Sequence, residues 1–205
     1  MTSGPTSPAT SATAYPGAHR VLLAYFSRPG ANYYYGGHRD LEVGNTEVLA
    51  GMIAKRTACD VHKIEPADLY PGSYDATVER NVREQDDNAR PAIANPLDSI
   101  DGYDTILLAS PIWNIRAPMI MTTFTDSFDF DGKTVAPVTT FAMSGLGTTE
   151  RDYAASCPGA TIAEGLAVRG EKVRDAGGDI DAWLRRLGLA LSLDRRSVHV
   201  SGLPP

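Results

Sequence analysis

Cysteine is scarce in this chain, with two among 205 residues. Cys59 and Cys157 lie far apart, and neither has another Cys or a His at metal-ligand spacing. Neither a disulfide framework nor a thiolate metal centre is expected to organise the fold. Two buried, reduced thiols are expected instead, which suits a cytoplasmic protein. Long apolar runs are missing too: none approaches the roughly 20 residues needed to span a bilayer. Positive charge is not in excess. Asp and Glu outnumber Lys and Arg by 25 to 19, for a formal net charge of −6, so no nucleic-acid-binding stripe is expected. The first 18 residues, MTSGPTSPATSATAYPGA, lack both a basic start and an apolar core. They are expected to form a flexible tail rather than a secretory or twin-arginine leader. Neither GxxxxGK[ST] nor GxGxxG occurs, which removes the common nucleotide-triphosphate and dinucleotide loops.

What remains is a chain with 42% hydrophobic and 21% charged residues, enough for one well-buried domain, expected over 19–205. Val21–Phe26 is a short apolar run, the pattern of a strand buried on both faces. Further strands are expected at Val61–Ile64, Asp104–Ser110, Thr134–Met143 and Thr161–Val168. Between them, Val48, Leu49, Met52 and Ile53 recur at helical spacing through about Arg56. Tyr74–Asn88 is charged with few apolar anchors and predicts a mostly solvated helix. Pro118–Phe128 and the segment around Thr148–Ala155 predict two more helices. Asp179–Leu187 predicts a last one, with Asp179 as its cap. Strands alternating with helices in this way specify an α/β fold with a mostly parallel, doubly wound sheet. Ligands then bind at the carboxyl ends of the strands, which directs attention to three loops.

The loop after the first strand offers Ser27, Arg28, Gly44, Asn45 and Thr46 ahead of a helix. Free N–H groups at a helix start, with hydroxyls beside them, suit a phosphate; an ordinary glycine turn with a capped helix fits the same residues. Ser110–Pro118 places Trp113 just beyond a buried strand, either to stack on a flat ring or to fill the core. Met143–Thr149 carries Gly145 and Gly147, which allow a close backbone approach to a ligand or simply turn the chain. The coincidence of all three at the expected sheet positions favours a ligand site.

Taken together, AYFSR…GNTEVLAGMIA, YDTILLASPIW…APM and SGLGTTERDY resemble the flavodoxin-like family of flavin mononucleotide (FMN) binding proteins. The likeness is greatest to the branch with AYFSRTGNT and PIWWGTAPM signatures, and covers roughly residues 20–188. The resemblance implies a three-layer sandwich around a five-stranded parallel sheet in order 2-1-3-4-5, FMN as cofactor, and one- or two-electron redox function. By motif, Ser27, Arg28, Asn45 and Thr46 would hold the phosphate. Pro111, Ile112, Trp113 and Asn114 would line the ring, and Ser144, Gly145 and Gly147 would meet its pyrimidine side or ribityl chain.

The chain departs from the family pattern in three places. Pro29–Val43, PGANYYYGGHRDLEV, splits the phosphate loop; with Tyr33, Tyr34, Tyr35 and His38 it is a cover for the flavin, a partner surface or a surface flap. Asn114 and Ile115 stand where the family has Trp and Gly, and Ile resists the positive φ that a backbone flip there requires. Arg116 replaces a neutral residue, and its charge is expected near the ring. The leading expectation is a flavodoxin-type redox protein that passes electrons through FMN to a redox partner protein. The alternative is an FMN-dependent NAD(P)H/quinone-type reductase acting on a small-molecule acceptor. A Ser144–His199 hydrolase is disfavoured, because Ala142 and Leu146 stand where a nucleophile elbow requires glycine. No nucleic acid, membrane or metal partner is expected.

Overall fold

The computed structural model describes residues 20–191, so His19, His199 and the N-terminal tail lie outside the described residues. The chain begins with β1 (Val21–Tyr25), a hairpin of β2 (Gly30–Tyr34) and β3 (Gly37–Leu41), α1 (Asn45–Ala54) and β4 (Asp60–Lys63). It continues through α2 (Tyr74–Asp86), β5 (Thr105–Pro111), α3 (Met119–Asp126), β6 (Thr134–Phe141) and α4 (Thr149–Ser156). It closes with β7 (Thr161–Ile162), β8 (Leu166–Arg169), a 3-10 turn (Gly170–Asp175) and α5 (Gly177–Arg186).

Alternation along the central strands builds two cores, because successive side chains leave a strand on opposite faces. Leu23, Leu107 and Val138 meet Leu49 and Ile53 of α1 and Ile180 and Trp183 of α5 on one face. Leu22, Ile106 and Val135 meet Ile120 and Phe124 of α3 and Tyr153 of α4 on the other. Burying each such aliphatic side chain contributes about 1.5–3 kcal/mol, so the sheet and its two helical layers hold each other. The parallel strands run in the order β4-β1-β5-β6, with β7 and β8 both paired to β6. Counting β7 and β8 as one strand and setting the hairpin aside, this is the expected 2-1-3-4-5 order of a doubly wound sandwich.

The fifth strand differs from its expected continuous run over Thr161–Val168. It pairs with β6 at Val135↔Ile162 and again at Val138↔Leu166, with one more residue on the edge chain between. Pro137 of β6 sits at the gap, and its carbonyl oxygen faces Gly165. Its nitrogen points the same way and has no hydrogen to donate, so the ladder breaks there.

The helix expected to be mostly solvated has a buried side as well, and the last helix lacks its expected cap. α2 is polar on its inner side: Thr77, Asn81 and Glu84 are buried, while Val78 and Val82 are exposed. The buried carboxylate is satisfied, since Tyr70 donates its hydroxyl to Glu84 Oε2 at 2.8 Å and Arg80 Nε donates to Oε1 at 2.7 Å. Asp179 is not the cap of α5. The chain enters that helix directly from the 3-10 turn through Ala176, and Asp179 lies in the first turn, where its charge complements the helix dipole. Both cysteines are free, Cys157 buried and Cys59 half-buried. No described helix is long and apolar enough to cross a membrane.

Trp183 is fully buried, and its Nε1 donates to the Glu164 carbonyl at 2.8 Å. Trp183→Phe is expected to cost about 1–2 kcal/mol by leaving that carbonyl without its donor, and Trp183→Ala about 3–5 kcal/mol. Urea unfolding checks both: the midpoint falls while the slope stays constant.

Candidate functional site

The first loop folds around a helix start that has no side-chain cap of its own. Gly44 precedes α1 because a Cβ there would stand 2.3 Å from Ser27 Oγ and 2.5 Å from the Arg28 carbonyl oxygen. Ser27 reaches over from the end of β1 and accepts the Glu47 N–H at 3.1 Å. The N–H groups of Asn45 and Thr46, ahead of it in the helix, find no acceptor among the described residues. Thr46 is buried, and its hydroxyl pairs with that of Thr140 on β6 at 2.7 Å. The result is an open, electropositive helix end rimmed by hydroxyls and an amide, the arrangement that binds anions.

Arg28 neither points to solvent nor reaches for a carboxylate. It is 7% exposed, and its guanidinium donates to the carbonyls of Pro71 (2.8 Å), Gly72 (3.2 Å) and Ala31. Burial lowers its pKa, while the nearby Asp40 carboxylate acts in the opposite direction. The side chain therefore ties the end of β1 to the hairpin and to the approach to α2.

Beyond β5 the chain reverses over Asn114 and Ile115, with Trp113 and Arg116 exchanging backbone hydrogen bonds of 2.9 and 3.3 Å. A two-residue reversal of this kind requires positive φ at both central positions, and the angles are 51° and 68°. Ile115, expected to resist that conformation, adopts it. The reason lies in the neighbouring loop, where the Ile115 carbonyl accepts the Thr148 N–H at 2.8 Å. Gly147 packs so close that a Cβ on it would be 2.1 Å from the same oxygen. Trp113 serves both of its expected uses: it meets Phe26 and Tyr70 edge-on at 5.6 and 5.1 Å and also forms cavity wall.

One cavity of about 330 Å³ gathers these pieces. Ser27, Arg28, Asn45 and Thr46 line one part of it, and Pro111, Ile112, Trp113 and Asn114 another. Ser144, Gly145 and Gly147 lie outside the lining of this cavity, and their loop braces the Ile115 reversal through Gly147 and Thr148. Arg116, expected near the ring, points elsewhere. Its Nε lies 3.8 Å from Asp152 of α4, in a separate cavity with Arg90 and Asp126. The structure also adds walls that the sequence reading did not assign: Tyr74, Thr77, Val78, Asn81 and Val82 from α2, Thr140 and Phe141 from the end of β6, Ala142 just after it, and Glu171. The four-residue spacing of Val78 and Val82 on an otherwise charged helix was the available signal. The Pro29–Val43 insert is the β2–β3 hairpin, and it contributes Asn32 and Tyr33 to the cavity.

A parallel, doubly wound sheet with its cavity at the carboxyl ends of the strands, beside an open helix N-terminus, defines an α/β mononucleotide-binding architecture. A family model described as flavodoxin matches residues 40–187, and the chain belongs to that family. A protein from Bacteroides eggerthii assigned as a flavoprotein is 26% identical, with a TM-score of 0.64, over 84% of this chain and 99% of its own. Another so assigned, from Bacteroides uniformis, is 29% identical, with a TM-score of 0.63, over 79% and 97%. A Lactobacillus acidophilus flavoprotein solved in complex with FMN shares the fold at 17% identity and a TM-score of 0.56, over 81% and 99%. No curated protein matches the sequence.

Ile115 is 59% exposed, so its unfavourable φ is offset by little burial. Ile115→Asn, which tolerates that region, is expected to stabilise the protein by about 1 kcal/mol. Gly147→Ala is expected to destabilise it by at least about 2 kcal/mol, because the new methyl group collides with the Ile115 carbonyl. The two shifts in urea midpoint, opposite in sign, check the clamp.

Proposed function

We propose that this chain binds FMN in the cavity and works as a flavodoxin-type redox protein. The observation that carries the reading is the convergence of three chemically different walls on one cavity. The open end of α1 supplies unpaired N–H donors for a phosphate. Asn32 and Asn81, whose side-chain amides line the cavity, supply partners for hydroxyls along a chain. Trp113, Ile112, Phe141, Tyr33 and Tyr74 supply flat and apolar surface for a ring. A phosphate ester on a polyhydroxyl chain ending in a flat heterocycle matches all three, which is the constitution of FMN. Bound there, FMN would supply one- or two-electron redox chemistry, while the protein supplies binding, orientation and electrostatics.

Ser27 keeps the helix end in place by capping Glu47, so that the Asn45 and Thr46 N–H groups stay free for the phosphate. Trp113 is held upright between Phe26 and Tyr70 and orients the ring against the Asn114–Ile115 reversal. Gln85 donates to the Trp113 carbonyl at 3.2 Å and accepts from Asn114 Nδ2 at 3.1 Å, which fixes that loop to α2. The electron partner, a reductase or acceptor protein, belongs to the proposal. So does a cytoplasmic setting.

One observation favours the second reading, reduction of a small organic acceptor. Val78 and Val82 present apolar surface to the cavity from a helix whose buried side is polar, which suits a flat hydrophobic molecule beside the ring. Oxidation of NAD(P)H with a quinone acceptor by the purified, FMN-loaded protein separates the two. Steady turnover supports the reductase, and electron exchange only with a reductase protein supports the carrier.

The cofactor itself is checked by titration. FMN is expected to bind one per chain with its fluorescence quenched. Riboflavin, lacking the phosphate, is expected to bind about tenfold to hundredfold more weakly, the worth of the charge-assisted hydrogen bonds it cannot make. Equal affinity for the two would remove the phosphate from the α1 end.

A further inference from the structure

The β2–β3 hairpin is fastened at both ends. At its base, Arg28 grips the Pro71 and Gly72 carbonyls and Ala31 N–H donates to the Gly72 carbonyl at 2.9 Å; nearer the tip, where it pairs with Tyr33, His38 stacks on Tyr74 at 4.2 Å. At its tip, Tyr35 N–H donates to Glu171 Oε1 at 3.2 Å. The tip is a two-residue reversal with φ of 46° at Tyr35 and 87° at Gly36, which fixes the direction in which that N–H points. Glu171 follows Gly170, which lies against the side chain of Asn45; a Cβ on it would be 2.5 Å from Asn45 Nδ2. The five residues of β2 span about 16 Å at strand rise. They run from the start of α2 to the neighbourhood of the α1 N-terminus, with Asn32 and Tyr33 facing the cavity on the way.

We infer that this hairpin is a latched cap over the phosphate end of the cavity, with the Tyr35–Glu171 contact as its latch. The segment thereby selects a ligand that ends at its phosphate. The inference rests on the FMN reading of the site. A monophosphate ester is complete at the α1 N-terminus and fits beneath the cap. A pyrophosphate-linked dinucleotide must continue past that point, where it meets β2 and the Glu171 carboxylate. Its second phosphate would lie against a like charge whose Oε2 is already buried without a donor among the described residues, and like charges set against each other suppress the wrong ligand. With one described hydrogen bond at the turn, one aromatic stack at His38 and several hydrogen bonds at the base, the cap opens from the Glu171 side. Ligand entry and exit depend on that latch.

The test compares calorimetric titrations of the apoprotein with FMN and with FAD, and the rate of FMN release, for wild type, E171A and E171Q. Wild type is expected to prefer FMN by at least about hundredfold. E171A, lacking both acceptor and charge, narrows that preference by about tenfold and speeds FMN release by about tenfold. E171Q, which keeps an acceptor oxygen without the charge, restores slow release but not the full preference. Hydrogen exchange of the Tyr35 amide in the apoprotein reads the latch without any flavin: it quickens in E171A while the amides of β1 and β5 do not change. The inference is overturned if wild type takes up FAD as well as FMN. It is equally overturned if E171A binds FMN with preference, release and Tyr35 exchange all unaltered. Uptake of neither flavin by wild type would remove the FMN reading, and the selection with it.

Discussion

A buried guanidinium held by backbone carbonyls is the constraint on which the cavity depends. Arg28 joins the end of β1, the start of β2 and the approach to α2 through the carbonyls of Ala31, Pro71 and Gly72. An arginine suits this position because its donors form a rigid fork and it stays charged when buried. A lysine would present one compact charge and lose the geometry. The hydrogen-bond partners of Arg28 are carbonyl dipoles, so only the nearby Asp40 carboxylate offsets part of its charge. Arg28 lines the same cavity as the open end of α1, and the two add to one electropositive wall.

The opposite wall is held by backbone conformation rather than by charge. Asn114 and Ile115, like Tyr35 and Gly36, form reversals with two successive positive φ angles. Each fixes the strand-like segments on either side into one register, and Asn114 of the first lines the cavity. A β-branched residue in this conformation is unfavourable taken alone, and it persists because the loop after β6 over-determines it. Gly147 and Thr148 thus shape the Asn114–Ile115 loop that borders the cavity.

Much of the architecture was legible in the residues. The strands Val21–Phe26, Asp104–Ser110 and Thr134–Met143 were recognisable because they are buried on both faces and so carry unbroken apolar runs. Ser27, Asn45 and Thr46 on one side, and Pro111 to Asn114 on the other, do line one cavity. What escaped the sequence depends on distant partners. Glu84 is a buried position because Tyr70 and Arg80 satisfy it, and no local pattern announces that. Ile115 was judged by its own preference, whereas Gly147 and Thr148 decide its backbone. Arg116 turns away from the cavity because Asp152 of α4 stands on the other side. The Tyr35-Gly36 tip of the hairpin lacks the Asn-Gly signal that marks such turns most clearly.

Pro137 has an effect at some distance from the site. An open sheet exposes rows of unpaired N–H and C=O groups at its two borders, and such rows are templates for joining another chain. Here β4 is four residues long and carries Asp60, His62 and Lys63, so one border is short and polar. The other is cut into a two-residue and a four-residue piece with a kink between them. A straight foreign strand finds no continuous register along it. The missing hydrogen of a single proline thus helps to keep copies of this protein from joining edge to edge into aggregates.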